Sequence, residues 1–194
     1  MDSSCQALAF WLGYQESRSS RHNIREIAVV TELLALLDAK VARKQFRVHC
    51  ETKWGELIHE RNQVGSLGMK RADITITKND VTHLAIEVKK IEGRITQAAS
   101  ATWTKDLSKL CKLKMLREDI AIRLILVSNH TLPNEWITPT GRASRQIFEA
   151  NEVKYRLRRI LKALPLLPSI DEKNSKLFMK KGHSVVIIEP IGLK

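Results

Sequence analysis

The stretch from Arg71 to Lys90 constrains the fold more than any other part of the chain. Two runs in it alternate polar and apolar residues with period 2, Ala72 to Thr77 and Thr82 to Lys89, and Lys78-Asn79-Asp80 between them supplies turn chemistry. Side chains alternate along a strand, so a β-hairpin here has two distinct faces. One carries Ile74, Ile76, Leu84, Ile86 and Val88; the other carries Asp73, Thr75, Thr77, His83, Glu87 and Lys89. With the turn centred near Asp80, antiparallel register sets Asp73 opposite or nearly opposite Glu87, with Cβ atoms ~5 Å apart. Lys89 follows on the same face.

Two carboxylates that close repel each other unless a cation lies between them, and hard oxygen ligands suit Mg²⁺ or Mn²⁺. The acid on one strand and the Glu87-Val88-Lys89 tripeptide on the next resemble the signature of the PD-(D/E)XK nuclease superfamily; Ala72 stands where that family often has a proline. The resemblance spans roughly residues 24 to 130. It implies a restriction-endonuclease-like α/β core, a mixed central sheet flanked by helices. It further implies that Asp73, Glu87 and the Val88 carbonyl bind Mg²⁺, with Mn²⁺ able to substitute, and that Lys89 orients or helps deprotonate the attacking water. In this family an N-terminal helix often adds a glutamate to the metal site, and that role is carried onto Glu32. The helix after the tripeptide flanks the cleft, which makes Gln97 a candidate contact. Ala101 replaces the tyrosine that marks the RecB-like branch, so the resemblance does not extend to that branch.

The tripeptide pattern is not specific by itself. It recurs at Asp38-Ala39-Lys40, Glu51-Thr52-Lys53, Glu152-Val153-Lys154 and Asp171-Glu172-Lys173. Only Glu87-Val88-Lys89 follows an apolar strand with a partner acid at hairpin register. The competing reading of the same residues is a cross-strand salt-bridge cluster on a solvent-facing sheet, Asp73 with Lys89 and Glu87 with Arg71 or Lys90.

The formal charge is +12, from 33 basic and 21 acidic residues, and the pI is near 9.8, which favours a polyanionic partner, duplex DNA first. Arg71, Lys90, Lys105 and Lys109 join Gln97 as candidate nucleic-acid contacts. With aromatics at only 5%, an RNA-binding role based on base stacking is less attractive. Cys5, Cys50 and Cys111 are widely spaced and include no C-x-x-C pair, so neither a disulfide framework nor a zinc knuckle is expected, and a reducing cytoplasm fits best. No span reaches transmembrane length.

In chain order, residues 3 to 17 read as a helix. A second helix begins at Asn23, with Glu26 at capping-box spacing, and runs to about Val41. Residues 44 to 52 read as a strand and Trp54 to Lys70 as a glycine-marked loop. After the hairpin, a helix from about Arg94 to Arg117 leads to a doubly buried strand at 120 to 128, an arrangement that predicts a crossover connection. Arg142 to Leu164 reads as a charged helix, and Ser184 to Glu189 as a final strand stopped by Pro190. The chain is thus expected to form a single nuclease-like domain over 1–194, with a core at about 24–130 and a C-terminal helix and strand within 141–190. The expected activity is metal-dependent DNA endonucleolysis of restriction or mobile-element type, with a homodimer or partner subunit possible. The alternatives are a non-catalytic basic DNA-binding or assembly subunit, and a structure-specific (junction) or RNA nuclease.

Overall fold

A computed structural model describes residues 1–18, 24–41, 45–58, 70–91, 100–150, 152–163, 169–171, 176–178 and 183–193. Its order is α1 (Asp2–Arg18), α2 (Glu26–Val41), β1 (Phe46–Lys53), a single turn α3 (Trp54–Leu57), β2 (Arg71–Lys78), β3 (Val81–Ile91), α4 (Ser100–Leu116), β4 (Ala121–Ser128), β5 (Ile147–Ala150), β6 (Val153–Ala163), β7 (Ser169–Asp171), β8 (Lys176–Phe178) and β9 (His183–Leu193). One seven-stranded mixed sheet has the order β1-β2-β3-β4-β9-β6-β5, and β7 and β8 form a separate pair. β1, β2 and β3 make an antiparallel meander. β3 and β4 are parallel and joined through α4, the crossover the sequence predicts.

Helices cover both faces of the sheet. Leu8, Leu12, Val29, Leu33 and Leu37 of α1 and α2 form one buried cluster with Ile74, Ile86, Val88, Ile125, Val127, Val185 and Ile187. Trp103, Leu107, Leu110 and Leu113 of α4 form the other with Ala85, Ile122, Leu124, Leu126, Val186 and Ile188. Burial on both sides explains why β4 and β9 read as continuous apolar runs.

The hairpin turn is Asn79–Asp80, both at positive φ (50° and 60°), as a two-residue turn of this hand requires. Lys78 pairs with Val81 and Thr77 with Thr82, but beyond that point the register shifts, so that Ile76 pairs with Leu84 and Ile74 with Ile86. His83 is the extra residue of this bulge. Had the turn register continued, Asp73 would have faced Ile86; the shift carries Glu87 opposite it. A slip of one residue moves side chains to the other face of a sheet, so the bulge brings the two acids onto a common face.

Two sequence expectations are overturned. The described residues of the expected Arg142 to Leu164 helix are not helical and include β5 and β6. Val153, Tyr155 and Leu157 are buried while Lys154, Arg156 and Arg158 are exposed, a period of 2 that an α-helix cannot satisfy. Tyr155 and Phe148 stack with ring centroids 5.7 Å apart, and both pack on Trp136, so aromatic packing draws this segment onto the sheet. The final strand also does not stop at Pro190 but runs on to Leu193. Pro190 sits where the β6 register shifts, between the pairs Tyr155↔Pro190 and Lys154↔Gly192, a place where a missing N–H is tolerated. Among the described residues no helix is long and apolar enough to cross a membrane.

Candidate active site

The site forms where the β2–β3 ladder gives out. Its last pair is Ile74↔Ile86; one residue further on, Asp73 Oδ2 accepts the Val88 N–H at 2.7 Å. The amide of the residue after Glu87 therefore fixes the Asp73 carboxylate. β3 continues its parallel pairing with β4 through Glu87, Val88, Lys89 and Lys90, so the tripeptide is mounted on the rigid centre of the sheet.

The face is not open to solvent. Glu87 is only 4% exposed and Thr75 fully buried, because α4 packs over that side. α4 contributes Lys109, whose Nζ lies 2.7 Å from Glu87 Oε1 and 4.0 Å from Asp106 Oδ1. The same ammonium is 3.4 Å from the Arg71 carbonyl oxygen and 5.3 Å from the Trp54 ring centroid. From the other helical layer, Glu26 in the first turn of α2 reaches in. Its Oε1 lies 3.2 Å from Lys89 Nζ, and its Oε2 accepts the Lys90 N–H at 2.9 Å.

The electrostatics follow from this burial. Burial pushes the Glu87 carboxyl up to about 8; Lys109 opposes the shift and Asp73 adds to it. Asp73 is also raised by burial, against the Val88 amide and Lys109, and Asp106 is raised by burial too. Burial alone would lower Lys89, but Glu26, joined by Asp106 and Asp73, holds the ammonium above its ordinary value. Desolvation is the main cause at all three carboxyls, and Lys109 offsets it only in part.

Asp73, Glu87 and Lys89 come together at one end of the hairpin. The carboxylate that reaches them from α2 is Glu26. Glu32 is half-buried and stands about 9 Å further along the axis and about 120° round it from Glu26. Val88 presents its amide to Asp73 and its side chain to the α1/α2 core. Arg71 is exposed and pairs with Glu51 at 3.6 Å, the Lys90 main chain is held by Glu26, and Lys105 is exposed. Gln97 and Asn23 lie outside the described residues. The salt-bridge alternative is not the observed pairing: Lys89 goes to Glu26 and Glu87 to Lys109.

Sequence reasoning assigned Glu26 only to capping and passed over Asp106. Lys109 it assigned to nucleic acid. A signal existed on α4, where Asp106 and Lys109 have i,i+3 spacing beside the apolar positions 103, 107 and 110.

Among the described residues no group of three His, Cys, Asp or Glu side chains is arranged to hold a metal ion. Mg²⁺ needs fewer, since it keeps several waters and is usually bound through one or two carboxylates plus substrate phosphates. Asp73 and Glu87, two carboxyls on one face with a cation already seated against Glu87, suit that chemistry. No family model, curated protein or solved structure matches the chain.

Proposed function

We propose that the protein is a metal-dependent DNA endonuclease that hydrolyses phosphodiester bonds at the Asp73–Glu87–Lys89 site. One observation carries the reading: at the broken end of the β2–β3 ladder, the Asp73 carboxylate held by the Val88 amide and the buried Glu87 carboxyl share one face, with the Lys109 ammonium 2.7 Å from Glu87 Oε1 in the place of a cation. The order of elements supports it too. A helix supplies an acid, a hairpin carries the acid and the tripeptide, a second helix flanks them and a buried strand follows, as a restriction-endonuclease-like core would have it.

Asp73 and Glu87, with the Val88 carbonyl, would hold Mg²⁺. Bound there, the ion would lower the pKa of a water molecule and neutralise charge on the scissile phosphate. The Val88 amide fixes the Asp73 rotamer. Lys89, kept protonated by Glu26, acts as a donor that orients water or a phosphate oxygen, not as a base. The resemblance assigns Glu32 to the metal site; the α2 glutamate that approaches is Glu26, and its partners are Lys89 and the Lys90 amide. The +12 charge favours a nucleic-acid substrate.

The test is incubation of supercoiled plasmid with the full chain in Mg²⁺ and in EDTA, alongside single-stranded, branched and RNA substrates. Nicking or linearisation of duplex in Mg²⁺ alone is expected. Binding without cleavage of any substrate would transfer the protein to a second reading, a non-catalytic DNA-binding subunit. That reading is favoured by the Lys109 ammonium already lying against Glu87.

A further inference from the structure

Lys109 is the residue at the site for which the proposed hydrolysis has no use. It is also among the most tightly surrounded. Its side chain is 15% exposed; Glu87 Oε1, Asp106 Oδ1 and the Arg71 carbonyl oxygen lie around the ammonium, and the Trp54 ring sits to one side. Oxygens at 2.7, 3.4 and 4.0 Å hold the ammonium where a cation beside Glu87 would stand. The position also comes from α4, the covering helix, not from the hairpin that carries Asp73 and Glu87.

We infer that Lys109 is a resident stand-in for the metal: its ammonium fills the cation position beside Glu87 in the metal-free protein, and a divalent ion binds by displacing it. The inference rests on the metal reading of Asp73 and Glu87. A second cation cannot approach the same Glu87 oxygen without strong repulsion from an ammonium 2.7 Å from it. Lysine suits the exchange, because its charge rides on a flexible four-carbon stem that reaches new partners by rotation. Asp106, at the half-buried rim and three residues before Lys109 on the same helix, offers the ammonium a second oxygen once Glu87 is taken. The consequence is a cluster that stays assembled without metal and whose metal affinity is set partly by the ease of moving Lys109.

The test is calorimetric titration of Mn²⁺ into the full-length wild type, Lys109→Met and Asp73→Asn at one fixed pH, with melting curves in EDTA and in Mn²⁺. Methionine keeps most of the stem against Trp54 and removes the charge. The expected result is that Lys109→Met binds Mn²⁺ about tenfold more tightly than the wild type, since ~1.4 kcal/mol corresponds to a factor of ten. It should also melt lower in EDTA and recover in Mn²⁺. Equal or weaker binding by Lys109→Met, where the wild type binds and Asp73→Asn does not, overturns the displacement while leaving the metal site standing. Absence of binding in all proteins, Lys109→Met included, overturns the metal reading and the displacement with it. A second arm needs no variant. Modification of Lys109 by an amine-reactive reagent, followed by mass spectrometry of the wild type, should be slow in EDTA and several-fold faster in Mn²⁺. Equal rates contradict the proposal.

Discussion

At the scale of single residues, Glu87 and Glu26 carry the strongest consequences. The Glu87 carboxyl is raised by burial from 4.5 to about 8, so between those values the folded protein holds a proton that the unfolded chain releases. Stability contributed by this group is therefore present at low pH and lost as pH rises through that window. Thermal melts in EDTA across that range should show the wild type losing stability relative to Glu87→Gln as pH rises; parallel curves would place the titration elsewhere. Glu26→Gln keeps an acceptor for the Lys90 amide but removes the charge that raises Lys89. A cleavage profile against pH should then have its alkaline limb moved to lower pH, with a stability loss of only about 1 kcal/mol in urea unfolding, because the Glu26–Lys89 pair is partly exposed. The placement of Asp73 beside Glu87, with Lys89 two residues on, was legible in the sequence because the spacing fits a hairpin. The choice of Glu26 over Glu32 was not, since rotation about α2 depends on which stripe the sheet buries. Lys109 was readable only as a charge, because what a helix lysine faces is decided by packing.

At the scale of elements, β6 departs furthest from what the sequence predicts. Its five basic residues and scattered apolar residues suit a charged helix as readily as a strand, and the alternation from Val153 to Leu157 covers little more than one helical turn. What decides for the strand is long-range: Tyr155 lies 5.5 Å from Trp103 on α4 and 6.2 Å from Trp136, contacts no local pattern announces. Because the burial has period 2, Tyr155→Ala and Leu157→Ala should each cost about 2–5 kcal/mol in urea unfolding, while Lys154→Ala should change stability by less than about 0.5 kcal/mol. A helical pattern of losses would contradict the assignment. The hairpin shows the converse. Its faces were readable, but the bulge at His83 that aligns Asp73 with Glu87 was not, since the phase change falls on the polar pair Thr82-His83, where no apolar position marks it.

At the scale of the whole molecule, the sheet divides its work. The meander and β4 hold the candidate site, while β9, β6 and β5 extend the sheet and carry exposed Arg156 and Arg158, both near Glu189. Arg123 also bonds Glu189, at 2.8 Å, so this carboxylate is surrounded by an excess of positive charge. For a duplex ligand, replacing both Arg156 and Arg158 by alanine should weaken binding and reduce the slope of log affinity against log salt by about one per lost phosphate contact; an unchanged slope would remove β6 from the interface. The mixed α/β class and the crossover were legible because β4 is apolar but for Arg123 and its terminal Ser128. The size of the sheet was not, because two of its strands hid in the expected helix. The central claim is that the carboxyls and lysine at the end of the hairpin form a hydrolytic centre. The most direct measurement of it is the rate of plasmid cleavage in Mg²⁺ by the wild type, Asp73→Ala and Lys89→Ala, each checked for folding and for DNA binding. Cleavage by the wild type and its loss in both variants, with binding kept, is the predicted result. Full activity in either folded variant, or none in the wild type, would contradict the account.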